Sequence, residues 1–98
     1  MKLSLALVSI GLCATSALAQ SIATVTFHTA EDTWDENPES GVCIASQDPT
    51  TPVTEIDIEG DVKCTFYTED DCKGQSYSLK EGPHTFKRDF YVTSFSCV

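Results

Sequence analysis

Three sets of side chains in this sequence have types and spacings that could do chemistry. Glu31-Asp32-Thr33-Trp34-Asp35-Glu36 and Glu69-Asp70-Asp71 are dense in carboxylates, the hard oxygen donors that calcium gathers in sets of about six to eight. Carboxylates flanking an aromatic ring would also suit glycoside hydrolysis, one serving as acid and the other as base or nucleophile. The second set is His28 and His84, the only histidines, and the third is the five cysteines at 13, 43, 64, 72 and 97. Each set has a plainer reading. Acidic runs are commonly solvated loops that keep a protein soluble, and a catalytic pocket needs more scaffold than so short a chain supplies. No serine stands in a G-x-S-x-G setting. The expectation is therefore that the protein is not an enzyme. Trp34 is either an anchor of its loop on a sheet edge or an exposed contact residue, and both readings stay open.

The cysteines are read through the start of the chain. Met1-Lys2 is followed by an almost wholly apolar run, Leu3 to Leu12, and by the small-x-small site Ala17-Leu18-Ala19. This is the pattern of a secretory signal peptide, with cleavage expected after Ala19. The run is shorter than the roughly 20 residues that span a bilayer. Cys13 would leave with the signal, and residues 20–98 would be secreted as a single domain with four cysteines. An even count in a small extracellular chain reads as two disulfides, Cys43, Cys64, Cys72 and Cys97 being their members. No CxxC pair or zinc-finger histidine spacing is present. Losing Lys2 takes the formal charge from −9 to −10. A surface of that sign repels phosphate backbones and anionic lipid heads, so neither nucleic acid nor membrane insertion is expected. The expected partner is an extracellular protein or cell-surface target, met by a monomer.

The elements that must position these residues read as strands. Ala23 to His28 alternates, with Val25 and Phe27 toward a core, and Val53 to Ile58 alternates again with Ile56 and Ile58 on one face. Val42 to Ala45, Cys64 to Tyr67, Gln75 to Leu79 and Thr93 to Val98 are further strand candidates, and Thr85 to Tyr91 is a weak one. Thr29 to Ser40 and Ser46 to Pro52 read as loops, Gly60-Asp61 as a turn, and Glu81-Gly82-Pro83 as a break. Nothing in residues 20–98 sustains a helical period, and about eight short strands point to an all-β sandwich or barrel. The chain also repeats itself. At an offset of 39, Thr65, Phe66, Thr68 and Asp71 fall on Thr26, Phe27, Thr29 and Asp32, and Val92-Thr93 falls on Val53-Thr54. Two copies are too few for a solenoid, which needs at least about three, and fit instead a pair of four-stranded motifs related by a pseudo-twofold.

Phe66-Tyr67-x4-Cys72-Lys73-Gly74-x-Ser76-Tyr77, closed by Ser94-Phe95-x-Cys97-Val98, resembles the Greek-key motif of the βγ-crystallin superfamily, in a small secreted fungal form where Cys72 replaces the hairpin aromatic. The second copy matches over nearly its whole length. In the first, His28 stands for Tyr67, no glycine stands for Gly74, and Glu55 stands for Ser94. The resemblance implies an all-β fold of two Greek-key motifs, about 23–59 and 62–98, forming a disulfide-stabilised β-sandwich. In such a fold Gly74 takes a positive φ that folds the hairpin over the sheet, Ser94 hydrogen-bonds to that hairpin's backbone, and His28 packs as Tyr67 does.

Within that resemblance the disulfides can be paired. Cys64 and Cys97 align with Val25 and Ile58, an apolar pair on the first and last strands, which are neighbours in such a motif. Cys64–Cys97 is expected, leaving Cys43–Cys72 as a tie between the copies. The resemblance also offers calcium by position, in the window Asp89-Phe90-Tyr91-Val92-Thr93-Ser94. Phe90 replaces one acid there, and the matching window from Thr50 to Glu55 lacks both. At most one weak site is expected, on Asp89 and Thr93 with a loop acid such as Glu31, Asp32, Asp70 or Asp71, and otherwise no cofactor. The implied function is a secreted binding or interaction module acting on a host or competitor. Its rivals are an antimicrobial or killer-toxin-like protein, a weak calcium-binding structural protein, and a hydrolase.

Overall fold

The structure is a computed structural model that describes residues 20–98; the expected signal segment, 1–19, lies outside the described residues. Alternation does what it should in β1 (Thr24–Thr29), where Val25 and Phe27 are buried and Thr24, Thr26 and His28 alternate with them on the other face. The segment read as a loop from Thr29 to Ser40 instead contains a strand, β2 (Thr33–Glu36), antiparallel to β1 with Trp34 opposite Phe27. Four residues carrying two acids show no period of their own. The strand exists because β1 offers it a ladder and because Thr29 closes the hairpin: its N–H donates to Asp32 O, and its Oγ1 accepts from Asp32 N at 2.9 Å.

Beyond β3 (Ile44–Ala45) come two long strands, β4 (Val53–Glu69) and β5 (Lys73–Thr85), and then β6 (Ser94–Cys97). The expected turn at Gly60-Asp61 and break at 81–83 are both absent, since β4 and β5 run straight through them. Glycine does not act as punctuation there. Its use is different: Gly60, at φ 130°, lets β4 pass against the N-terminal backbone, where an added Cβ would lie 3.0 Å from Ile22 O and from Ala23 Cβ. The β4–β5 register is irregular between Ile58 and Lys63, around Gly60 and Gly82. The weak strand expected from Thr85 to Tyr91 does not form beyond Thr85. Phe86 N donates to Thr54 O and Val53 N donates to Phe90 O, so the segment is pinned at both ends as a loop.

Because β4 and β5 each serve twice, six strands do the work expected of about eight. The first half runs β2, β1, residues 53–59 of β4, and residues 82–85 of β5. The second runs residues 73–80 of β5, residues 63–69 of β4, β6, and β3. Each half is completed by a segment from the other. Their inner faces meet at Phe27, Phe66 and Phe95, all buried, with Phe27 edge-on to both other rings at 5.9 and 5.3 Å and Phe66 stacked on Phe95 at 5.6 Å. Val25, Val53, Ile56, Ile58 and Val92 fill in around them. Each such ring pair contributes about 0.5–1.5 kcal/mol beyond the area it buries. No helix occurs among the described residues.

Candidate binding site

The turn of the β4–β5 hairpin is held by a distant strand and a disulfide. Asp71 and Cys72 sit at φ 60° and 55° and Gly74 at 87°, a run of left-handed residues that folds the turn back. Gly74 is required, because an added Cβ would lie 2.7 Å from Thr68 Oγ1 and 2.8 Å from Glu69 Cγ. Ser94, buried on β6, holds this turn: its hydroxyl donates to Glu69 O at 2.6 Å and accepts from Cys72 N at 2.8 Å. Cys72 is bonded to Cys43, just before β3, and Cys64 to Cys97 across the β4–β6 ladder. Cys64–Cys97 is the pair expected from the repeat, and Cys43–Cys72 is the pair it leaves. They close separations of 29 and 33 residues, worth about 3–4 kcal/mol each on a chain-entropy account.

The residues considered for chemistry are dispersed. His28 Nδ1 lies 3.2 Å from Thr33 Oγ1, and His28 faces Glu55 across the β1–β4 ladder on the outer side of the first half. His84 Nε2 donates to Lys80 O at 2.7 Å, which fixes the proton on that nitrogen. Neither histidine lines the two surface depressions described below. In the calcium window, Thr93 Oγ1 donates to Thr68 O at 3.0 Å and Asp89 is exposed on the loop before it. Among the described residues no three His, Cys, Asp or Glu side chains converge as metal ligands.

Trp34 packs at the sheet edge, on a strand rather than in a loop. It is a strand residue, half-buried, whose ring stacks on Phe27 at 5.4 Å and 15°. Its Nε1 is buried without a hydrogen-bond partner. Glu36, two residues along the same face, has its carboxyl pushed above the ordinary value by burial, and the nearby Trp34 indole draws it partly back down.

What does converge is a set that sequence reasoning passed over. Phe86 stacks on Phe90 at 4.5 Å, and Phe90 meets Tyr77 edge-on at 5.2 Å. With Thr85, Lys87, Arg88 and Asp89 these rings line a shallow depression of about 320 Å³. Tyr77 is 55% exposed although it stands opposite Phe66 and so belongs to the inward-facing set. A second, more polar depression lies at Asp61, Lys63, Lys80 and Val98. The signal for the aromatic one was legible in principle: Lys87-Arg88 is the only adjacent basic pair, bracketed by Phe86 and Phe90 in a strongly acidic chain. All the Lys and Arg of residues 20–98 lie at or beyond Lys63, whereas ten of the fifteen acids precede it.

Fold and surface together define a class, a disulfide-stapled all-β domain with an open aromatic and basic cradle. Comparison with protein-family models, with curated proteins and with solved structures finds no match to this chain.

Proposed function

We propose that the protein is a secreted binding module of βγ-crystallin type, built from two Greek-key motifs packed as a sandwich, which contacts an extracellular target through the cradle of Tyr77, Phe86 and Phe90 with Lys87 and Arg88. Two features support the fold assignment. In each half the last segment returns to lie beside the first, in the orders β2-β1-β4 and β5-β4-β6, and each half borrows its remaining strand from its partner half. Two disulfides are consistent with an extracellular setting, and no helix of the described residues is long and apolar enough to cross a membrane.

The observation that carries the binding reading is the cradle itself. A tyrosine ring largely open to water, with two half-buried phenylalanines and two cations beside it, is a costly use of surface in a small domain unless something covers it, and aromatic and Arg residues dominate contact energies. The same cationic and aromatic loop favours, as a second reading, growth inhibition of a competitor cell. Labelled protein applied to intact cells tests both. Saturable binding that is lost in Lys87→Glu/Arg88→Glu and kept in Asp32→Asn supports the cradle; binding unaltered by the double reversal rejects it. Growth inhibition by the wild type that follows the same pattern selects the second reading.

A further inference from the structure

The two disulfides sit in unlike surroundings. Cys64 and Cys97 are both 0% exposed, lie opposite each other in the β4–β6 ladder and belong to the apolar core. Cys43 is exposed and Cys72 is half-buried. Thiol–disulfide exchange begins when a thiolate reaches a sulfur, and the exposed disulfides of a protein are its labile ones. Access therefore separates the two crosslinks.

What the exposed bond joins is lightly held at both ends. One end is β3, a two-residue strand on the sheet edge that pairs only with β6. On either side of it, Gly41 N donates to Cys97 O and Ser46 N donates to Thr93 O. The other end is the β4–β5 turn, where Asp71 and Cys72 take left-handed φ values that residues with a side chain disfavour. Ser94 stands between the two: Ala45 of β3 opposes it in the ladder, and its hydroxyl makes both hydrogen bonds to the turn.

We propose that Cys43–Cys72 is a thiol-exchange site, reduced by a dithiol in the folded protein while Cys64–Cys97 stays oxidised, and that its reduction loosens residues 41–46 and the turn together. A thiolate of the dithiol attacks Sγ of Cys43, the more exposed partner, forming a mixed disulfide and expelling the Cys72 thiolate, which takes a proton from water. The second thiolate of the dithiol then displaces Cys43, which is protonated in turn. The dithiol leaves as its own disulfide, and the protein has gained two electrons and two protons. Residues 41–46 are then held by the two ladder positions of β3 and its flanking bonds, and the turn by Ser94. The β5-β4-β6 ladder and Cys64–Cys97 remain, so the domain opens at one corner instead of unfolding. Neither cysteine lines the cradle, so exchange here does not depend on the ligand reading.

The test is a time course of the native protein in dithiothreitol, with thiols trapped by iodoacetamide and mapped by mass spectrometry. Cys43 and Cys72 should be alkylated together, at least about tenfold faster than Cys64 and Cys97. Amide exchange in the half-reduced protein should quicken about tenfold or more at Cys72 and Ser46, whose N–H groups bond to Ser94 and Thr93, and should stay unchanged at Phe27 and Phe66. Alkylation of all four cysteines at one rate, or of Cys64 and Cys97 first, would overturn the proposal. Exchange at Cys72 and Ser46 that is indifferent to reduction would do the same, as would exchange that quickens equally at Phe27 and Phe66.

Discussion

Trp34 and Tyr77 hold the same place in the two halves. Each stands on the second strand of its half, opposite a buried phenylalanine, Phe27 or Phe66, and the molecule treats them in opposite ways. Trp34 lies flat on Phe27 and is drawn into the core's margin, whereas Tyr77 stays largely in water and leans on Phe90. The loops differ in the same sense. Ser46 to Pro52 is polar and self-satisfied, with Asp48 accepting from Thr50 Oγ1 at 2.8 Å and its carboxyl held below the ordinary value by Thr51 and Thr50. The loop 39 residues on offers Phe86, Lys87, Arg88 and Phe90 instead. One half packs its edge aromatic against the core, and the other leaves its own largely in water.

The largest test of that contrast concerns the crosslink. The ladder position held by Cys64–Cys97 in the second half is held by Val25 and Ile58 in the first, which face each other across β1 and β4. Converting Cys64→Val/Cys97→Ile gives the second half the first half's apolar pair. Urea unfolding should then show a loss of about 3–4 kcal/mol; a negligible loss would mean that ladder and packing alone hold both halves equally.

Next in size is the aromatic pair itself. Trp34→Ala should cost about 2–3 kcal/mol, below the value for a fully buried ring because Trp34 is only half-buried, and Tyr77→Ala should cost under about 1 kcal/mol. Equal losses in thermal melts would erase the distinction between a folding residue and a contact residue.

The two hairpins provide a third comparison. The β1–β2 turn is closed locally by Thr29, and the β4–β5 turn by Ser94 from a distant strand. Ser94→Ala strands Cys72 N–H and Glu69 C=O in a part-buried site and should cost about 1–3 kcal/mol. Thr29→Ala, exposed and local, should cost about 1 kcal/mol or less, and exchange at the Cys72 amide should accelerate only in the first variant.

The smallest effect is electrostatic. Burial raises the Glu36 carboxyl above its ordinary 4.5, so the folded state holds that proton more tightly than the unfolded one. Stability from this group therefore falls as pH rises through the interval between the ordinary and the raised value, and stays lowered at neutral pH. Glu36→Gln should raise the melting temperature slightly at pH 7 and leave it unchanged at pH 3. A variant that melts lower at pH 7 would show that Trp34, not burial, governs Glu36.

What the sequence determined by itself is whatever is local or repeated. The alternation of Val25 and Phe27 and of Ile56 and Ile58, the four-cysteine count, the need for Gly74 and the all-β class are all legible, because strand period, disulfide chemistry and backbone sterics act on the residues that carry them. The 39-residue repeat extended that reach to the Cys64–Cys97 ladder position, since a repeat reports which strands are equivalent. Only the tertiary structure decided the rest. β2 exists because β1 gives four unpatterned residues a ladder, and Gly60 permits a continuous strand because the N-terminal backbone passes close beside it. The cradle joins Tyr77 to a loop beginning nine residues later. A contact between segments leaves no mark on either segment alone.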